Sequence, residues 1–246
     1  MASPQVEQLA EQHRVQQVAL RGAVTRDVVT LLRALFDTQN ADRTWPAIRS
    51  MLAASTRQQH TASAAVANAY YEQARTEAGV PGFYLPVTPE ALADELLKVA
   101  LDATGIAAFK RAIALGRTPE EALHLAGVSL SGSVSRLVLS GGRDAILGNV
   151  QRDERAIGWA RITDKDPCSW CAMLASRGPV FRSKRTASFQ AHDHCACMAV
   201  PVWSRDEAWL QHSRDLYEQW QKATVGQSGA DARKAWRRHW DSRNSG

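Results

Sequence analysis

The sequence predicts an α+β chain that is mainly α. Three observations carry that reading. Apolar residues recur at a helical period through residues 5–36. Two runs, Thr88-Pro89-Glu90 and Thr118-Pro119-Glu120-Glu121, have the composition of helix starts. After residue 157 the composition changes, short β-type runs appear, and every cysteine falls between 168 and 197. The division that follows is a helical region over 1–156, a small α+β module over 157–205, and a helical basic and aromatic tail over 206–246.

Taken in order, Val15, Val18, Ala19, Val24, Val28, Leu31, Leu32 and Leu35 recur close to every 3.6 residues and predict the first helix. The polar stretch 37–42 ends it. Trp45-Pro46-Ala47-Ile48 opens a second helix, because a first turn does not use the N–H that proline lacks. An alanine-rich helix over 57–78 follows, closed by Gly79, and Pro81-Gly82 and Pro86 mark a connector. At Thr88 and Thr118 the hydroxyl can accept from free N–H groups, and the acids that follow favour the positive end of the helix dipole. One helix is therefore expected from Pro89 to about Leu115-Gly116, and another from Pro119. Gly141-Gly142 should interrupt the latter before a segment over 143–156. Residues 158–163, 179–182 and 198–203 read as strands. Trp209, Leu216, Trp220, Trp236 and Trp240 then lie in helical segments divided by Gly226-Gln227-Ser228-Gly229, and residues 242–246 read as a frayed end.

The composition, 45% hydrophobic and 22% charged over 246 residues, is that of a folding chain. A net charge of +5 leaves contact with nucleic acid open without requiring it. No window approaches the roughly 18 apolar residues of a membrane span. The start, Met1-Ala2-Ser3-Pro4-Gln5-Val6-Glu7-Gln8, has neither a basic run nor an apolar core, so no signal peptide is expected. Cysteines confined to one short stretch, in a chain without a secretion signal, point to a metal rather than to disulfides.

Zinc takes four ligands in a tetrahedron. Cys168-Ser169-Trp170-Cys171 supplies two donors from a tight turn. His192-Asp193-His194-Cys195-Ala196-Cys197 supplies the others after twenty intervening residues. The set read from spacing is Cys168, Cys171, His192 and Cys195. Cys197 is the alternative fourth ligand, since in an extended chain it points to the same side as Cys195. His194 reads as a surface or outer partner. Four good donors close the shell, so the zinc is expected to be structural, and no catalytic residue is assigned. Trp159, Trp170 and Trp203 flank the cluster and read as core for a small module.

These residues carry a resemblance. Gly158-Trp159-Ala160-Arg161, Cys168 through Gly178, the His192-x-x-Cys195-x-Cys197 ending and Pro201-Val202-Trp203 resemble the MuF-like minor head proteins of tailed bacteriophages, in the form found in actinobacteriophages. The likeness covers roughly residues 150–205. The family's His-Pro-Asn-Cys-Arg-Cys is His-Asp-His-Cys-Ala-Cys here, so its proline and arginine are missing. The resemblance implies a minor capsid protein of the virion head interior, made in the host cytoplasm. Its partners would be portal and major capsid or scaffold proteins, with DNA as a further contact and neither membrane nor small-molecule substrate. Related actinophage proteins are often described as capsid maturation proteases. That is the alternative function, and a nucleic-acid-binding zinc knuckle is another. Comparison of the module with ADP-ribosyltransferases would make Arg161 and Ser183 the first parts of a site. No glutamate occurs between Glu154 and Glu207 to complete it.

The tail has its own pattern. Arg233, Lys234, Arg237 and Arg238 alternate with Trp236 and Trp240, a composition suited to phosphate contact and base stacking. An amphipathic helix with both tryptophans packed inward and the cations solvated explains the same spacing.

Overall fold

The computed structural model describes residues 3–164, 166–181, 189–205 and 209–243. The elements run α1 (Pro4–Leu35), α2 (Ala41–Glu77), α3 (Asp94–Thr104), α4 (Ile106–Ala114), α5 (Pro119–Arg152), β1 (Gly158–Ile162), α6 (Ser169–Ala175), β2 (Val180–Phe181), β3 (Met198–Val202), α7 (Gln211–Ala223) and α8 (Gly229–Ser242). The chain is mainly helical with a small antiparallel sheet, the α+β class that the sequence predicts.

Local chemistry accounts for the helix starts. Ser3 Oγ accepts from Val6 N at 3.3 Å with Pro4 in the first turn. Thr118 Oγ1 accepts from Glu121 N while Glu121 accepts from Thr118 N, a reciprocal capping box. Thr88 behaves differently. Its hydroxyl accepts from Asn68 Nδ2, and the neighbouring Val87 N donates to Asn149 Oδ1 at 2.7 Å. Those tertiary bonds keep residues 88–93 out of a helix, and α3 begins only at Asp94.

Four further expectations change. The second helix and the alanine-rich helix are one, α2, with Pro46 near its start. The helix expected to reach Leu115 breaks at Gly105, where a Cβ would lie 2.0 Å from the Trp45 ring. Gly141-Gly142 do not interrupt α5. A Cβ at Gly141 would meet the His60 carbonyl oxygen at 2.2 Å, so this glycine allows α2 and α5 to approach. Gly142 N donates to Ser63 Oγ, which in turn donates to Gln17 Oε1, joining α5, α2 and α1. Contrary to the sequence reading, α5 also carries an 18-residue stretch long and apolar enough to cross a membrane, and 61% of it is buried within the protein.

The α1, α2 and α5 helices pack on one another, with α3 and α4 against α5. One apolar cluster joins Val24, Val28 and Leu32 to Trp45, Ile48, Leu101, Leu130 and Val134. A second runs from Tyr71 and Ala74 through Leu139, Ile146 and Val150 to Trp159, Ile162, Met198 and Val200. The sheet has the order β2-β1-β3, and Trp159 faces Val180 on one side and Pro201 on the other. Both β1 and β3 are buried throughout, which suits strands packed on helices. A third cluster joins Ala172, Met173 and Ala175 of α6 to Leu216, Trp236 and Trp240. Arg182 and Ser183, and the last residues of the expected frayed end, 244–246, lie outside the described residues.

Candidate metal centre

Two short segments converge. The first is the start of α6. Cys168 is its N-cap, and its Sγ accepts from Cys171 N at 3.4 Å, the place a serine hydroxyl would take. This caps the helix and turns both sulfurs to one side. The carbonyls flanking Cys168 are secured by the tail: Trp240 Nε1 donates to Pro167 O at 2.8 Å and Trp236 Nε1 to Ser169 O at 2.7 Å.

The second segment is the turn before β3. Cys195 N donates to His192 O, and His194 has φ 64°, a left-handed backbone rare outside glycine. Side chains from the long helices secure it. Arg21 of α1 donates to His194 O at 3.1 Å, and Arg136 of α5 pairs with Asp193 at 2.8 Å. Arg143 of α5 donates to the carbonyls of Cys195 at 2.9 Å and Cys197 at 3.0 Å. A Cβ at Gly132 would come 2.6 Å from the His194 ring, so α5 is bare where the turn docks.

The donors form two triplets that share Cys171. Cys168, Cys171 and His192 lie together, as do Cys171, Cys195 and Cys197, with ligand atoms inside 4.8 Å of one another in each. Cys168 Sγ is 2.9 Å from His192 Nε2, Cys171 Sγ is 3.6 Å from the same nitrogen, and Cys171 Sγ is 3.6 Å from Cys195 Sγ. Cys168 and His192 are exposed; Cys171, Cys195 and Cys197 are buried. All five donors read from the sequence are thus brought together, and the cluster can hold a metal ion.

The charges are unevenly shared. Hydrogen bonds from the Cys171 and Cys197 thiols hold Cys195 well below the usual thiol range against the effect of burial, and Arg143 adds to this. The same contacts, with burial, push Cys171 up. Burial opposes ionisation of Cys168, but the Cys171 N–H and His192 outweigh it and lower this thiol. Burial likewise works against a charged His192, and the Cys168 sulfur overcomes it, raising the imidazole. Each effect arises from polar groups facing a thiolate.

Spacing did not single out Arg143 as part of this region. It is buried, and its guanidinium lies 5.0 Å from the centre of the Phe189 ring. Arg161 of β1 stacks on the same ring at 3.7 Å and donates to Gln190 O, while its Nη1 is buried without a hydrogen-bond partner among the described residues. The one sequence signal was a pair of arginines inside otherwise apolar elements. Of the flanking tryptophans, Trp159 is buried against Phe189, Trp170 packs 5.4 Å from the His192 ring, and Trp203 donates to Asp153. His194 is exposed, as expected of a surface partner. On α8, Trp236 and Trp240 face inward, while Arg233, Lys234, Arg237 and Arg238 form an exposed row. The tail helix is therefore amphipathic, with its cations in solvent.

Comparison with known proteins places the chain in a phage setting. The "Gene 15 protein" of Mycobacterium phage D29 is 29% identical over 113 residues, which is 43% of this chain and 40% of that protein. The similarity therefore spans less than half the length of this relative. No solved structure matches. The family described as VG15 protein matches residues 4–223, from the start of α1 to the end of α7. With helices α1 to α7, the sheet and the cysteine cluster inside that match, and α8 beyond it, the chain belongs to the VG15 family.

Proposed function

We propose that this protein is a MuF-like minor head protein of a tailed bacteriophage, in which a structural zinc ion fastens the start of α6 to the turn before β3. The observation that carries the reading is the convergence of Cys168, Cys171, His192, Cys195 and Cys197 from two segments, each secured from behind by other elements. Donors in excess of four close a zinc shell and leave no position for a reacting water, which suits a fastener. Kinship with a mycobacteriophage gene product and the motif resemblance support the phage role. The protein would work by recognition, docking on the portal or on major capsid or scaffold proteins at the inside of the head. Packaged DNA would meet it at the exposed row Arg233, Lys234, Arg237 and Arg238.

Metal analysis and melting of the purified chain test the zinc. One zinc per chain is expected, and a chelator should lower the melting temperature and speed amide exchange within residues 155–205. A metal-free native chain, or melting indifferent to chelation, would count against it. Cross-linking of assembled particles tests the location, with links to portal or shell protein expected. The absence of the protein from purified heads would overturn that part.

One observation favours a second reading. The exposed Cys168 thiol, 2.9 Å from His192 Nε2, has the spacing of a nucleophile and its base, as a capsid maturation protease would need. Co-expression with head proteins separates the two. Cleavage abolished by Cys168→Ala in a protein that stays folded would select the protease. Intact head proteins alongside a zinc-loaded chain would select the fastener.

A further inference from the structure

The two triplets leave the ligand set open, and two buried arginines address it. Arg143 and Arg161 are 2% and 3% exposed. Among the described residues, neither forms an ion pair with a carboxylate. Asp144, next to Arg143 in the chain, is itself exposed. Carbonyl oxygens and the Phe189 ring receive these guanidinium groups, but neither carries a full negative charge. Burying two cations without counter-charge is costly, so the structure calls for anions nearby.

Zinc with three thiolates and one neutral imidazole carries a single negative charge, and zinc with four thiolates carries two. Resting on the zinc reading above, we propose that Cys168, Cys171, Cys195 and Cys197 are the four ligands. Arg143 and Arg161 then neutralise the site, and His192 stands outside it, its Nδ1 donating to Asp193 O at 2.8 Å and its Nε2 turned to the Cys168 sulfur.

Distances agree. Two thiolates on one tetrahedral zinc lie about 3.8 Å apart, and a thiolate and an imidazole nitrogen about 3.5 Å, from the usual bond lengths. Cys171 and Cys195, at 3.6 Å, have the separation of co-ligands. Cys168 and His192, at 2.9 Å, are closer than two ligands of one ion stay, as hydrogen-bonded partners are. The Cys171 to His192 separation, 3.6 Å, suits either arrangement. Cys197 is buried within reach of Cys171 and Cys195, and Arg143 secures its carbonyl.

Cobalt(II) substituted into the full chain reads the ligand set directly, because its thiolate charge-transfer band grows with each Co–S bond. His192→Gln should keep the native band and one metal per chain. Cys197→Ser should lose about a quarter of the band, one thiolate of four. Arg143→Gln and Arg161→Gln should each weaken cobalt affinity on the order of tenfold, the usual effect of removing an outer partner, and Arg143→Lys should recover part of it. The reverse pattern, a band unchanged by Cys197→Ser with a shifted visible spectrum in His192→Gln, would overturn the proposal and leave the zinc reading standing. A native chain that takes up neither cobalt nor zinc would remove both. Should Cys197→Ser not fold, modification of the zinc-loaded native chain decides. Modification of His192 with zinc retained supports the four-thiolate set, and protection of His192 by zinc, or alkylation of Cys197 with zinc retained, refutes it.

Discussion

Asp153 offers the sharpest test of how the helices and the sheet are joined. It sits just past the end of α5 and is 3% exposed. Its Oδ2 accepts from Tyr71 Oη at 3.1 Å, Arg75 Nε at 3.1 Å and Trp203 Nε1 at 3.0 Å, and its Oδ1 accepts from Arg155 N at 3.0 Å. One carboxylate therefore ties the end of α2 to the exit of β3. Asp153→Ala would leave Arg75 buried beside donors with no acceptor, and breaking such a pair costs about 3–5 kcal/mol. Arg75 keeps the carbonyls of Val80, Pro81 and Gly82, which lowers its share. Tyr71 and Trp203 add about 1–3 kcal/mol each, not additively. A loss of about 4 kcal/mol follows. Asp193→Ala is the control. Its ion pair with Arg136 is 44% and 41% exposed and is worth under about 1 kcal/mol. Urea unfolding followed by tryptophan fluorescence and circular dichroism measures both. Asp153→Ala costing no more than Asp193→Ala would refute the reasoning. Burial opposes the Asp153 charge, but bonds from Trp203, the Arg155 N–H, Arg75 and Tyr71 outweigh it and hold its pKa below the ordinary 3.8. Its contribution is thus present above that value and fades as pH falls through the lower, folded one.

Other outcomes follow from the same structure. Gly141→Ala would drive a methyl group into the His60 carbonyl, a backbone atom that cannot rotate away, and should cost about 1–3 kcal/mol by denaturant midpoint. A loss below a few tenths would show that α2 and α5 are not in such close contact. His13 is buried against Tyr70, and burial lowers its pKa from 6.5 to about 3. The unfolded chain therefore takes up the proton first, and stability declines as pH falls from 6.5 towards 3. By pH 5 the loss is roughly 2 kcal/mol, at about 1.4 per pH unit. His13→Gln should lack that component, and parallel acid curves for the two proteins would exclude it. Trp236→Ala should cost about 3–5 kcal/mol, since the ring is 1% exposed and its N–H bonds to Ser169 O, and amide exchange in α6 should rise with it. Unchanged exchange there would show that α8 does not support the cluster.

The sequence revealed those parts of the fold that local chemistry decides. The capping box at Thr118 is complete within four residues, so its signal survives folding. The similar run at Thr88 misled because a distant partner, Asn68, donates to the hydroxyl a cap would use, while Asn149 holds the neighbouring Val87 N–H. The glycines at 141 and 142 misled for a related reason. In isolation they weaken a helix, whereas here close contact with α2 and α1 offsets that weakness. The candidate donors were legible because two-residue spacings need only a local turn. The helix after Cys168 was not foreseen, since a sulfur in the cap position leaves no familiar mark. Arg143 and Arg161 were beyond reach, because their place beside the thiols is set by how α5 and β1 pack, and no spacing encodes it.

The two indole N–H groups of α8 that bracket Cys168 also set an order in time. Trp240 follows Pro167 by 73 residues. A chain that grows from its N-terminus exposes the Cys168 turn long before the helix that supports it. Until α8 emerges, the thiols sit on a loop without its brace, open to oxidants and to chance ligands. On the zinc reading, loading would therefore follow the emergence of α8. A ribosome stalled before residue 236 would present a nascent chain whose sulfurs are still soluble-reagent accessible.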